Sequence, residues 1–362
     1  MKILILSSLP NNSGCHLRAK YLSDALKKAG HKTIFVTPLM PLPFMLDIFI
    51  SFFWYLFKVF ITPFDFGMCI KPYPNTLLPL IIKRFFFNKI KIGVDIDDID
   101  YGYRKGFLSN LLRFIQKPMP MLCDIVTCHN SNLERWIPEE YSVPKDKIYI
   151  LKQGVDTTIF FKVSDKEQRE DRCYWEKRLN ISKKDILLVH TAHLNIASDF
   201  DDILEAFYIA SNITKDLKLL VAGGGPLLEF YKKKAFNKNL QGKIFFTGLI
   251  KPEEVRRCIN AADFCLVYYK DRPVNLYRTS MKIRENLAMA KRVIANDIGD
   301  LKEFQDFIYP AGTGAENYAK GILNAIYTFS DNREIRGSIY IKEKYDWDKI
   351  GFLFSERLKN LF

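Results

Sequence analysis

The sequence predicts an α/β fold of two Rossmann-like, doubly wound domains, on three observations. The chain has 362 residues, which exceeds one typical domain and suits two of roughly 150 to 200. Short β-branched or aromatic runs alternate with amphipathic helical segments, the pattern of parallel strands joined by crossover helices. Polar and glycine-bearing loops leave the carboxyl ends of those runs, the edge where an open α/β sheet binds ligands.

In chain order, Lys2 to Ser7 reads as a strand, Pro10 to Gly14 as a loop and Leu17 to Ala29 as an amphipathic helix ended by Gly30, before a second strand at Thr33 to Val36. No G-x-G-x-x-G follows the first strand, so this opening is no evidence for NAD or FAD. A glycine such as Gly14 also serves an ordinary turn. Phe44 to Thr62 is almost wholly apolar. Wound at about 100° per residue, it gathers Asp47, Ser51, Tyr55, Lys58 and Thr62 into one arc of about 80°. Two charges argue against a transmembrane span, which needs about 20 mostly apolar residues. The helix either packs into its domain along a wet stripe or lies in a bilayer interface with its Phe, Trp and Leu in the acyl boundary.

Ile90 to Ile96 is the next strand, ending among Asp95, Asp97, Asp98 and Asp100. Clustered carboxylates suit a hard cation, but alternation along a strand lets only some converge; capping the next helix is the plainer use. Asp124 to His129 and Ile148 to Leu151 read as further strands, with a helix at Leu133 to Ile137 between them, and Lys162 to Lys184 as a charged surface helix. The second half alternates strand Ile186 to Val189, helix Asp201 to Ser211, strand Leu217 to Val221, glycines Gly223 to Gly225, helix Leu227 to Phe236, strand Lys243 to Phe246, helix Glu253 to Ala261 and strand Phe264 to Tyr268. A polar loop then leads to Ser280, placed to cap a helix carrying Glu285. Strand Arg292 to Ala295 follows, with a turn through Asn296 and Gly299 towards Glu303. Helix N-termini at that edge present backbone N–H groups to phosphate. Asp346 to Leu361 is a last amphipathic helix.

The order Glu285, Asn286, Leu287, Ala288, Met289, Ala290, then Lys291 to Ala295, then Gly299 and Glu303 resembles the donor site of GT-B glycosyltransferases, most nearly family four (glycosyl transferases group 1), as a divergent member. Ser280, Met281 and Lys282 resemble a variant of that site in which a lysine contacts the donor pyrophosphate. Ala222 to Pro226 is similar to the family's Gly-x-Gly-Pro turn, and Gln153, Gly154, Val155 and Asp156 with Phe160 to its entrance to the second domain, where Gln replaces Asn. Three further stretches depart from the family: Tyr277 stands where it has an acid, Asp97 and Asp98 follow a strand end where its histidine is missing, and Thr191, Ala192, His193, Ala197, Ser198 and Asp199 lack its diphosphate-clamping Arg and Lys. Either Lys282, Arg278 or Arg272 supplies that charge from the other loop, or the donor is unusual, or catalysis has been lost.

The resemblance implies an acceptor domain over residues 1–158, a nucleotide-sugar domain over 159–343, and a helix over 344–362 returning to the first. It implies donor binding by Ser280, Lys282, Glu285, Gly299, Asp300, Glu303 and Gly224, and an acceptor loop at Ser13 and Gly14. Asp97 or Asp98 is the candidate catalytic base on the acceptor side, needed if the reaction inverts; with the family's retention the leaving phosphate can take the proton. Neither metal nor cofactor is expected beyond the nucleoside diphosphate sugar itself. The activity implied is hexosyltransferase-like transfer to a glycan or lipid-linked acceptor. A sugar-nucleotide epimerase and a non-catalytic nucleotide-sugar or membrane-binding protein are the alternatives.

Charge bears on partners. Lys and Arg total 54 against 41 Asp and Glu, and the stretch up to Val94 holds twelve basic residues against Asp24, Asp47 and Asp65. An anionic membrane surface or a phosphorylated substrate fits this better than nucleic acid, for which no motif appears. The 7 cysteines form no Cys-x-x-Cys pair, which fits a reducing compartment and no structural metal. Met1 to Ser7 reads as a strand and not as a signal peptide, giving a cytoplasmic expectation, peripheral on the inner face of the membrane if the apolar helix docks there.

Overall fold

The computed structural model describes residues 1–9, 13–39, 44–103, 106–328 and 332–362. Pro10, Asn11 and Asn12 of the first predicted loop lie outside the described residues, as do the side chains of Asp47 and Asp100.

The chain divides into two compact units. The first comprises Met1–Gly154, Tyr277–Thr279 and Tyr345–Phe362; the second comprises Val155–Leu276 and Ser280–Lys344. The first boundary thus falls a few residues before the expected one, at Gly154. A side chain there has no room, because a Cβ would lie 2.5 Å from Cδ2 of Trp347.

In the first unit the elements run β1 (Lys2–Ser7), α1 (Gly14–Lys28), β2 (Lys32–Val36), α2 (Phe44–Ile61), β3 (Phe66–Ile70), α3 (Pro74–Phe86), β4 (Lys91–Ile96), α4 (Phe107–Gln116), β5 (Ile125–Cys128), α5 (Ser131–Tyr141) and β6 (Ile148–Ile150). The strands form one six-stranded sheet in the order β2-β1-β3-β4-β5-β6, with parallel pairing throughout. β3 and α3 escape sequence reading for physical reasons. β3 is buried at every position, so it shows no alternation of apolar and polar residues, and α3 contains Pro79 within its helical run.

Helix α2 departs from the wet-stripe expectation. Ser51 and Tyr55, in the polar arc, are buried at 4% and 0% exposure. The Tyr55 hydroxyl donates to the Ser7 carbonyl at the end of β1 (2.5 Å). These two members of the arc therefore face inward, while Lys58 and Thr62 are half-buried. Lys83 of α3 is buried too, and its ammonium donates to the carbonyls of Val59 and Thr62 (2.8 and 2.7 Å), closing the carboxyl end of α2.

The second unit runs α6 (Asp165–Leu179), β7 (Ile186–Thr191), α7 (Phe200–Ile213), β8 (Leu217–Ala222), α8 (Leu228–Asn237), β9 (Ile244–Phe246), α9 (Pro252–Ala261), β10 (Phe264–Val267), α10 (Met281–Ala288), β11 (Val293–Ala295), β12 (Tyr309–Pro310), α11 (Ala315–Thr328) and α12 (Arg333–Lys344). Its sheet has the order β12-β11-β10-β7-β8-β9, again parallel. One apolar core packs helices against the sheet, with Phe200, Phe207, Leu219, Val221, Ile294 and Tyr318 buried in it. The charged α6 is a surface helix with two exceptions. Asp171 and Trp175 are buried, and the Asp171 carboxylate accepts from Arg257 and Asn260 (2.7 and 2.8 Å), which ties α6 to α9.

Helix α13 (Trp347–Lys359) packs in the first unit. Its Gly351 lies so close to α1 that a Cβ would meet that of Ala25 at 2.6 Å.

Candidate functional site

In the second sheet the chain lays β8 and β9 on one side of β7 and β10, β11 and β12 on the other. The winding therefore reverses between β7 and β10, and the crevice beyond the carboxyl ends of those two strands is where such sheets take ligands. His190, near the end of β7, spans that junction. Its Nδ1 lies 2.8 Å from the carbonyl of Leu266 on β10. A carbonyl only accepts, so Nδ1 carries the proton and Nε2 is the free lone pair, without a hydrogen-bond partner. The ring stacks on Phe200, centroids 5.6 Å apart. Burial, with Lys282 adding to it, pushes its pKa down to about 3.

The helix facing this crevice is α10. Ser280 caps it by accepting from the backbone N–H of Ile283 (3.3 Å), as its position predicted. Lys282 and Glu285 lie one turn apart on α10. Glu285 is partly accessible yet sits in surroundings poor enough in water to push its pKa up to about 7, with Lys282 acting in the opposite direction. A cation and a half-ionised carboxyl therefore share the crevice with a neutral imidazole.

Asp300, expected to touch the donor, is engaged inside the protein. Its Oδ2 accepts from the backbone N–H of Ser280 (3.1 Å) and from Arg284 (2.8 Å). Arg284 is itself buried, donates to the Ser280 carbonyl (2.6 Å), and lies over the ring of Phe304 (5.0 Å). This pair fixes the start of α10. Gly299 has φ +61, and a Cβ there would approach the carbonyl oxygen of Asn275 to 2.4 Å. Only glycine lets the turn after β11 pass so near the loop after β10. Glu303 is exposed and accepts from the Tyr340 hydroxyl (3.1 Å).

Asp199 organises the same loop from the other side, a role the sequence did not reveal. Buried at the N-terminus of α7, it accepts from the backbone N–H of Lys270 (3.2 Å) and from the Asn275 amide (2.8 Å), and pairs with Arg272 (2.7 Å). Arg272, one of the three cations left to supply the diphosphate charge, is thus paired with Asp199. Beside them is a cavity of about 340 Å³ bordered by Asp199, Asp202, Tyr231, Lys270 and Arg272. A larger one, about 510 Å³, lies at the opposite end of the strands, beside Asp185 and Asp263, away from this chemistry. The glycine turn after β8 is explained by packing. Cβ atoms at Gly223 and Gly225 would meet the carbonyl oxygens of Ala192 and Leu194 at 2.0 and 2.4 Å. The Gly224 carbonyl accepts from the Leu194 N–H (2.9 Å), so the turn serves to zip the β7 loop into place.

In the first unit the acidic strand end does not converge. Asp95 is fully buried and bound by Arg18 through two hydrogen bonds (2.6 and 2.9 Å). Asp97 pairs with buried Lys71 (2.9 Å), and Asp98 accepts from the N–H of Ile99 (2.8 Å). His129 stands at the end of the neighbouring strand, with Nε2 3.7 Å from Asp95 and neither ring nitrogen hydrogen-bonded. Ser13 caps α1, accepting from the N–H of His16 (3.1 Å). Gly14 opens α1 with nothing within 4 Å of a Cβ placed on it, so neither a turn nor a close approach demands glycine there.

Two doubly wound parallel units, with polar residues from α10 and the turn after β11 gathered at the strand ends of the second, have the GT-B architecture. Comparison with known proteins points the same way: residues 185–327 match the family model described as "Glycosyl transferases group 1". The chain is 25% identical over 246 residues to alpha-monoglucosyldiacylglycerol synthase of Streptococcus pneumoniae, covering 66% of this chain and 53% of that protein. It spans about half the length of the curated relatives it matches. Sucrose-phosphate synthase from Thermosynechococcus elongatus shares the fold with a TM-score of 0.79 at 14% identity, covering 100% of this chain and 99% of that one. HepE of Anabaena in complex with UDP-glucose shares it with a TM-score of 0.75 at 13% identity, over 99% of this chain and 100% of that one.

Proposed function

We propose that the chain is a glycosyltransferase that moves a sugar from a nucleoside diphosphate sugar to an alcohol acceptor, a glycan or a lipid-linked molecule at the inner face of a membrane. One observation carries this reading. Lys282 and Glu285 of α10 stand with His190 at the winding reversal of a sheet whose segment matches the group 1 glycosyltransferase model. In this reading the N-terminal end of α10 and Lys282 meet the pyrophosphate, and Glu285 accepts from the ribose hydroxyls. The Nε2 lone pair of His190 can accept a proton donor but carries no charge near neutrality. Transfer with retention needs no protein base on the acceptor, which suits an Asp97 already paired with Lys71. Lipid-linked acceptors are supported by the name of the pneumococcal relative, which is that of a glucosyldiacylglycerol synthase.

Calorimetric titration of the full chain with a panel of nucleoside diphosphates and their sugars tests the donor. Glu285→Ala is expected to weaken the preferred nucleotide about ten- to a hundredfold, the equivalent of a lost charge-assisted hydrogen bond. Lys282→Met should weaken the diphosphate more than the free nucleoside. Unchanged affinity in a folded Glu285→Ala protein would remove the assignment. A non-catalytic nucleotide-sugar binder is the second reading, favoured by the Thr191 to Asp199 loop without the clamping cations and by the neutralised Arg272. Release of nucleoside diphosphate from a bound donor, followed by chromatography, separates the two, and the anomeric proton of the product gives the stereochemistry.

A further inference from the structure

Helix α2 is turned inside out relative to a soluble surface helix. Its polar side chains Ser51 and Tyr55 face the sheet, and every described side chain of α2 that is exposed is apolar, including Phe49 at 65%, Phe53 at 55% and Phe57 at 56%. A surface helix of a soluble domain shows the reverse arrangement. The face continues onto the end of α3. Phe60 packs against Phe86 (6.4 Å) and Phe86 against Phe85 (5.5 Å), and Phe85, Phe86 and Phe87 are all exposed. Patches of this size on one surface mark an interaction site.

What covers the face follows from the charge around it. Lys58 lies over the Trp54 ring (4.4 Å) on one flank of α2, and Lys89 is exposed just after the phenylalanine cluster, whereas Arg84 and Lys91 pair with Asp124 (3.1 and 3.5 Å). From residue 1 to 94 there is no glutamate and only Asp24, Asp47 and Asp65 against twelve cations. Aromatic rings on one side of a helix with basic residues at its margins are what an anionic lipid interface selects, since rings enter the acyl boundary and cations meet headgroup phosphates. Among the described residues no helix is long and apolar enough to cross a membrane, so such a helix lies along the surface.

We propose that α2 and the Phe85–Phe87 end of α3 dock this protein on an anionic lipid bilayer. The docking stands on this surface alone; that it delivers the enzyme to a lipid-linked acceptor rests on the transferase reading above.

The test is sedimentation of the full chain with phosphatidylcholine vesicles containing or lacking phosphatidylglycerol, at low and high salt. Wild type is expected to partition onto the anionic vesicles, with binding weakened but not abolished by salt. The triple variant Phe53→Ser, Phe57→Ser, Phe86→Ser, whose positions are exposed in the folded chain, should lose at least tenfold in partitioning while keeping its circular dichroism and nucleotide binding. Lys89→Glu should lower binding to anionic vesicles and flatten the salt dependence. Wild type that ignores both vesicle types overturns the proposal, as does a concentration-dependent dimer abolished by the triple change, which would make a second copy the cover. Nucleotide binding is measured in parallel: vesicle binding without it leaves the docking intact and removes the transferase reading, and the opposite result does the converse.

Discussion

Arg18 and Asp95 form a buried ion pair at 1% and 0% side-chain exposure that holds the first sheet to the end of its unit. The guanidinium donates twice to Asp95 on β4 and also to the carbonyls of Leu151 and Lys152 and the side chain of Gln153, beyond β6. Thr127 of β5 donates to the same carboxylate. Arg18 and His129 beside Asp95 hold its carboxyl well below the usual range despite complete burial.

Removing one member should therefore be far worse than removing both. Asp95→Ala leaves a buried, partly unpaired guanidinium and is expected to cost about 3 to 5 kcal/mol. Arg18→Met with Asp95→Leu should recover much of that loss, because desolvation of both charges disappears. Urea unfolding of the two single variants and the double decides it; additive losses would mean that the pair is not coupled.

The ionisation of Glu285 gives nucleotide binding a pH signature. Its pKa near 7 lies above the ordinary 4.5. Folding is thus favoured by its protonated form, and this contribution is lost as pH rises from about 4.5 through 7. If ribose hydroxyls donate to it, the ionised form binds better, so affinity for the nucleotide should rise between pH 6 and 8 with release of a proton. Calorimetry in buffers of different ionisation enthalpy measures that proton, and Glu285→Gln should abolish both the release and the slope.

His190 should place a limit on acid stability. Its folded-state pKa of about 3 lies below the ordinary 6.5, so the unfolded chain binds a proton first. The stability it contributes is complete above pH 6.5 and falls as the pH drops towards 3, with a slope of up to about 1.4 kcal/mol per pH unit. Comparing the acid limb of thermal unfolding in wild type and His190→Phe isolates this slope, and identical limbs would show that the imidazole charges freely in the fold.

Two glycines should answer differently to the same substitution. Gly299→Ala forces a side chain into positive φ against the Asn275 carbonyl, at about 1 to 3 kcal/mol for the backbone alone, and nucleotide affinity should fall with it because the loop that meets α10 must shift. Gly14→Ala meets open space in the first turn of a helix and should be neutral or stabilising by up to about 1 kcal/mol. Differential scanning calorimetry of the pair makes the comparison.

Much of the fold was legible because local chemistry and tertiary outcome agree. Lys2 to Ser7, Ile186 to Val189 and Leu217 to Val221 are short apolar runs that cannot be satisfied except as buried parallel strands, and β1, β7 and β8 contain them. Ser280 announces its helix through an N-cap hydrogen bond made within four residues, which sequence spacing can show. The apolar excess of α2 was equally plain, as was the narrow arc of its polar residues.

Which way that arc faces was not. Direction depends on partners far away in the chain, here the Ser7 carbonyl that takes the Tyr55 hydroxyl, and a helical period is the same whichever side is buried. The same limit hid β3, whose two buried faces erase alternation. It also hid the roles of Asp199, Arg284 and Asp300. A carboxylate in a polar loop reads alike whether it awaits a ligand or holds Ser280 and Arg284, 20 and 16 residues away. The sequence by itself determined the strands, the helices and the chemistry available at the strand ends. Only the tertiary structure decided which charges cancel one another and which, like Lys282 beside Glu285, share the crevice at the winding reversal, because pairing is settled by distances that folding alone creates.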